Sequence, residues 1–351
     1  MRIVLLSNVS MPSVAARTSA LLGEEIYYPY YPGGGDTWLR ELANPDSGVY
    51  RAGPGEVFII LHGRALLGEN YLSPEDVLAP IAEAIRTCAS NHGEIAFVVS
   101  TLDIPDAHIR PLAARKPDLS CGAYWRRAME DIPVPLLDIA EMAANIGRGS
   151  FYNSRVWYMG GLPFSKRGEE AIASEMAAIR RALRGPRRKC LALDLDNTLW
   201  GGEIGEVGID GLHLDRVGSG SRFYDLQRRI KELQESGVLL AVLSKNNMDD
   251  AMDGIDNHPD MFLRSGDFAS IKANWRPKSQ NLKELASELG IGTDAFVFID
   301  DNPLERERMQ IDLPDVAVPD FPSDSSKLEE FMIDVAHRYF LQAHGTEEDS
   351  I

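Results

Sequence analysis

The stretch "LALDLDNTLWGGEIGE", residues 191–206, closes an apolar run on two carboxylates, Asp194 and Asp196. Residues i and i+2 of a strand share a face, so two like charges stand side by side where a buried strand ends. Burying charge is costly unless it is compensated. A bound cation would relieve the repulsion and attract an anionic substrate.

Working outward, two more apolar runs in this half end on polar residues: "VLLAVLS" (238–244) on Ser244 and "AFVFID" (295–300) on Asp300, with Asp301 behind it. Between them, Lys278 opens a helix in "NWRPKSQN". One amphipathic helix carries Phe223, Leu226, Ile230 and Leu233 and stops at Gly237. Another carries Leu282, Leu285, Ala286 and Leu289 and stops at Gly290. Strands alternating with helices predict a parallel sheet. In such a sheet the carboxyl ends of the strands share one edge, where ligands bind, so residues far apart in sequence can converge.

Their chemistry forms a set. Asp194 can attack phosphorus as a nucleophile, and Asp196 can protonate the leaving group and later activate water. Ser244, with the amides of Lys245 and Asn246, can hold phosphate oxygens, and Lys278 can neutralise charge on the phosphoryl group. Asp300 and Asp301 complete an oxygen-rich site of the kind Mg²⁺ prefers. Each motif alone is weak; their order within one α/β half is specific.

The N-terminal half shows the same alternation. "RIVLLSN" (2–8), "VFIILHG" (57–63), "IAFVVST" (95–101) and "VPLLDI" (134–139) read as buried parallel strands. A helix capped by Ser73, with Pro74 first and Pro80 as a kink, buries Leu78, Ile81, Ile85 and Cys88 beside Val77. "YYPYYPGGGD" (27–36) reads as loop. The domains expected are 1–167, a linker helix over 168–188, a catalytic domain over 189–342 and an acidic tail over 343–351. The basic run Arg180–Lys189 reads as a helix C-terminus, or as a docking patch for an acidic partner.

The chain has 351 residues, room for two cores. A net charge of -17 argues against nucleic-acid or anionic-membrane binding. No apolar run is long enough to span a bilayer, and no targeting segment is legible. The three cysteines, Cys88, Cys121 and Cys190, have no paired metal spacing and suit a reducing cytoplasm. Cys190 reads as buried packing.

The motifs "DLDNTLWGGEIGEVGIDG", "LSKNN", "DFASIKANWRPKSQNL" and "FIDDNPLERE" together resemble the haloacid dehalogenase (HAD) superfamily, and within it the FkbH-like proteins of polyketide pathways (subfamily IIIC). The resemblance extends upstream through "SFYNSRVWYMGGLPFS" (150–165). It implies an α/β chain of two domains: an SGNH-hydrolase-like, flavodoxin-like layer, then a HAD-like Rossmannoid sheet with a small flap and no large cap. It implies Asp194 as nucleophile and Asp196 as acid/base. It places Mg²⁺ on Asp194, the main-chain carbonyl of Asp196 and the Asp300/Asp301 pair, with Asp301 as the direct ligand, and phosphate on Ser244 and Lys278. Trp200, Gly201 and Gly202 read as a substrate-limiting flap or as a simple β-turn.

By resemblance, the expected activity removes phosphate from 1,3-bisphosphoglycerate and loads the glyceryl unit onto an acyl carrier protein. Many relatives place a cysteine just before the motif-two serine, and this chain has Leu243 there. Direct attack by the carrier's thiol, use of another cysteine, and a stand-alone phosphatase of another small metabolite all stay open. A carrier-binding scaffold without catalysis is the further alternative. In the SGNH-like domain Ser7 stands at the nucleophile position, yet "SRVWYMGGLPFS" offers no histidine base, and His62 reads as a structural strand-end residue. A noncatalytic domain is expected.

Overall fold

The computed structural model describes residues 2–29, 37–68, 74–103, 121–132, 134–184 and 188–341. The chain forms two units, Met1–Arg180 and Arg181–Ile351, each built on a parallel sheet, as the alternating pattern led us to expect.

The first unit carries β1 (Arg2–Ser7), β2 (Ile26–Tyr27), β3 (Pro54–Ile60), β4 (Ala96–Ser100) and β5 (Leu136–Leu137) in the order β2-β1-β3-β4-β5. The central strands are buried on both faces, which explains their continuous apolar runs. β2 ends on Tyr27, the first residue of the aromatic segment read as loop: Tyr27 pairs with Val4 at the sheet edge, so at that one position tertiary pairing overrides the local signal. Residues 30–36 of that segment lie outside the described residues, as do Ser73, Gly185, Pro186 and the acidic tail.

Pro80 sits inside the helix Pro74–Asn91, which runs on past it. The helix Lys166–Arg184 buries Ile172, Met176 and Ile179. Thr18 Oγ1 lies 3.7 Å from Met176 Sδ, and Arg180 reaches Glu24 at 3.1 Å and the fully buried Glu56 at 3.4 Å. As far as Arg180, this helix packs as part of the first unit.

The second unit orders its strands β8-β7-β6-β9, with β6 (Cys190–Leu193), β7 (Leu239–Ser244), β8 (Ser270–Ala273) and β9 (Phe296–Ile299). One sheet face packs Leu191, Leu193, Leu240, Val242, Val297 and Ile299 with residues of the helices Ser221–Glu235, Met248–Asn257 and Leu328–Val335. The other packs Cys190, Ala192, Leu243, Phe296 and Phe298 with residues of the helices Lys278–Leu289 and Pro303–Asp312. Gly290 ends the first of these last two at φ 65°, a left-handed position glycine takes without strain.

After β6 the chain moves outward through β7 and β8, then returns to the far side of β6 as β9. The strand order reverses at β6, and a ligand crevice is expected at its carboxyl end.

Candidate active site at the end of the central strand

Register builds the site. Leu193 pairs with Ile299 on one side and Val242 on the other, so Asp194 comes level with Asp300, and Ser244 lies just beyond. Ser244 Oγ donates to Asp194 Oδ1 at 2.7 Å. Lys278 Nζ stands 2.9 Å from Asp194 Oδ2 and 2.6 Å from Asp300 Oδ2. A lysine at the first residue of a helix opposes the helix dipole, and these two carboxylates explain its position. Burial works against the Lys278 charge, but Asp194 and Asp300 outweigh it and move its pKa upward.

Asp194, Asp300 and Asp301 each offer an oxygen within 4.8 Å of the others, the group among the described residues that could hold a metal ion. Burial first, then the Asp194 charge, raises the Asp300 carboxyl. The same causes in the same order push Asp301 up to about 6. One lysine leaves this acid cluster short of positive charge, and an all-oxygen donor set of this kind fits a hard divalent cation.

Asp196 stands apart from that trio. Its Oδ1 accepts from Trp200 Nε1 at 2.8 Å and from the amide of Ile204 at 3.2 Å, and its Oδ2 accepts from Asn246 Nδ2 at 2.9 Å. Asn246 also donates to Ser244 Oγ at 3.3 Å, so its side-chain donors serve site residues. Lys245 pairs with Glu305 at 2.6 Å.

Asp194, Asp196, Ser244, Lys245, Asn246, Lys278 and Asp301 line one cleft of about 470 Å³, together with Glu203, Glu206 and Trp275. Asp300 is fully buried behind it.

The segment after the first motif is an ordered excursion. Gly201 and His213 bond each other's backbone at 3.1 and 2.8 Å, and Leu199, Trp200, Ile204, Leu212 and Leu214 belong to the core. Asn197 takes φ 54° and accepts from the Gly202 amide at 2.9 Å. Leu243 is fully buried among Phe296, Phe298 and Leu282, away from the cleft. Burial pushes the Cys190 thiol up to about 12.

Several supporting residues escaped the sequence reading. Thr198 accepts from the Asp301 amide at 3.3 Å, and Arg306 donates to the carbonyls of Asp300 and Asp301 at 2.9 and 2.7 Å. The buried Gln227 donates to Leu199 at 2.8 Å and accepts from Phe262 and Leu263. A threonine two residues past an Asp, or a glutamine inside a helical stripe, carries no local mark of such a role.

In the first unit, Ser7 Oγ accepts from the Val9 amide at 3.2 Å. His62 caps the helix Gly63–Leu67 through Nδ1 and lies against Tyr152, Trp157 and Phe164. Burial first, then Arg64, holds its pKa down at about 4.

No protein-family model matches the chain, and neither does any curated protein. Among solved structures, the N-terminal part of BF1531 from Bacteroides fragilis, containing a phosphatase domain and complexed with Mg, is similar over 98% of this chain and 94% of its own, with TM-score 0.85 and 26% identity. HAD family enzyme bt-2542 from Bacteroides thetaiotaomicron, with magnesium and inorganic phosphate, aligns over 39% of this chain and 95% of its own at 14% identity and TM-score 0.28. The HAD domain of Lem4 from Legionella pneumophila aligns over 44% and 95% at 13% identity and TM-score 0.27. The first of these likenesses defines the class: the chain shares the two-sheet α/β fold of a phosphatase-domain protein complexed with Mg.

Proposed function

We propose that this protein is a Mg²⁺-dependent phosphatase or phosphotransferase that acts through Asp194 on a small phosphorylated substrate. The carrying observation is the geometry of Asp194. One oxygen accepts from Ser244 and the other faces Lys278, beside two further carboxylates suited to a metal. Likeness to a Mg-complexed phosphatase-domain protein over nearly the whole chain supports the same reading.

Asp194 attacks phosphorus while Asp196 gives its proton to the departing oxygen, and the phosphorus–oxygen bond to the leaving group breaks. Water then attacks the aspartyl-phosphate, Asp196 takes the water's proton, and phosphate leaves. Mg²⁺ held by Asp194, the Asp196 carbonyl and Asp301 would neutralise charge on the phosphoryl oxygens. Ser244, with the Lys245 and Asn246 amides, would orient those oxygens, and Lys278 offsets the charge that builds on them.

The finer reading is glyceryl transfer from 1,3-bisphosphoglycerate to an acyl carrier protein, and it rests on the FkbH-like resemblance. Cys190 and Leu243 both lie in a buried apolar layer, so neither position offers the cleft a thiol, and in this reading the thioester forms on the carrier's own thiol.

The test is phosphate release from an aryl phosphate with Mg²⁺, by wild type and Asp194→Asn. Release that survives the substitution overturns the mechanism. Incubation with 1,3-bisphosphoglycerate and candidate carriers, read by intact-protein mass, decides the transfer step: phosphate release without a carrier adduct leaves a plain phosphatase.

A further inference from the structure

We propose that Trp200 is a positioning residue for Asp196, holding the acid/base carboxylate in the direction needed to protonate the leaving group. The proposal rests on the phosphatase reading above and assigns a role within that site.

Trp200 is fully buried, and a buried indole N–H needs an acceptor. The protein shows two other outcomes at buried tryptophans: Trp125 Nε1 donates to the backbone carbonyl of Ser100 at 2.9 Å, and Trp38 Nε1 has no partner among the described residues. Trp200 instead donates to the side chain of Asp196 at 2.8 Å, only four residues away in sequence.

The ring is also held in place. A Cβ on Gly254 would stand 3.0 Å from Trp200 Cη2, so the helix Met248–Asn257 passes directly against the indole. On the other side of the carboxylate, Asn246 donates to Oδ2 and to Ser244 Oγ, and Ser244 donates to Asp194. Trp200, Asp196, Asn246, Ser244 and Asp194 thus form one hydrogen-bonded chain from a rigid core residue to the nucleophile. Turning the acid away from the leaving oxygen would break it.

The test measures kcat/KM for phosphate monoesters from alkyl to 4-nitrophenyl, in wild type and Trp200→Phe. This constant reports steps through transfer to Asp194, where the acid acts. Phenylalanine fills most of the space and removes the N–H.

We expect a loss of about tenfold or more on alkyl phosphates, which need the proton, and of about twofold or less on 4-nitrophenyl phosphate, with KM changed little. An equal loss across the series, or none, overturns the proposal. A second readout is independent of activity: the Trp200 indole proton resonance should move in Asp196→Ala, and a resonance that stays put overturns the contact itself. Wild type inactive on every ester would instead remove the phosphatase reading, and the role of Trp200 in it, even if the indole resonance still moves.

Discussion

Lys278 Nζ lies 2.6 Å from Asp300 Oδ2, and both side chains are buried at the carboxyl end of the central strands. Removing one member of a buried ion pair leaves an uncompensated charge, whereas replacing both can be nearly neutral. Lys278→Met should therefore cost about 3–5 kcal/mol. Lys278→Met combined with Asp300→Asn should recover part of that loss. Hydrogen exchange of the β6 and β9 amides measures both, and an unaltered exchange pattern in the single variant would contradict the expectation. Phosphate release should be lost in both variants.

Metal binding should stabilise the second unit. With Mg²⁺ a hundredfold above its dissociation constant, the gain is about 2.7 kcal/mol, reversed by a chelator. Asp301→Asn should shrink the gain, because it removes one of the three clustered carboxylates. Thermal unfolding with and without Mg²⁺ checks this, and an equal gain in the variant would exclude Asp301 as a ligand.

His62 makes the first unit acid-sensitive. Its folded pKa, about 4, lies below its ordinary value of 6.5. Between those two values the unfolded chain binds more protons than the folded one, so stability rises with pH. The contribution is complete above about pH 6.5 and is lost as pH falls toward 4, for a total of about 3 kcal/mol. His62→Gln should flatten the dependence. Exchange of β3 amides at pH 7 and pH 4.5 would show it, and an equal slope in the variant would assign the sensitivity elsewhere.

Gly254→Val should cost about 2 kcal/mol through overpacking. The new Cβ would meet Ile204 Cδ1 at 2.8 Å and the buried Trp200 ring at 3.0 Å. Denaturant unfolding gives the loss. The same variant should lower turnover of alkyl phosphates, because it presses on the residue that holds Asp196.

The polar ends of β6, β7 and β9 are legible in the sequence. A buried strand that stops on Asp194, Ser244 or Asp300 breaks the apolar rule that shapes the rest of its run. Elements without such a signal were missed. β8, Ser270–Ala273, is half-exposed over most of its length, and the helix Pro303–Asp312 buries only Met309. The segment after the first motif, left open between flap and turn, proved to be a bridged excursion rooted in the core.

By itself the sequence determined two α/β halves and the order of chemically apt residues along the second, because strand periodicity and charge at strand ends are local properties. Only the tertiary structure decided that β6 lies between β7 and β9, that Lys278 spans Asp194 and Asp300, that Leu243 points away from the cleft, and that Trp200 and Asn246 grip Asp196. Those facts depend on which strand pairs with which and on which way side chains face in the assembled sheet. Most of them join residues tens of positions apart, and no local pattern records such distant partners.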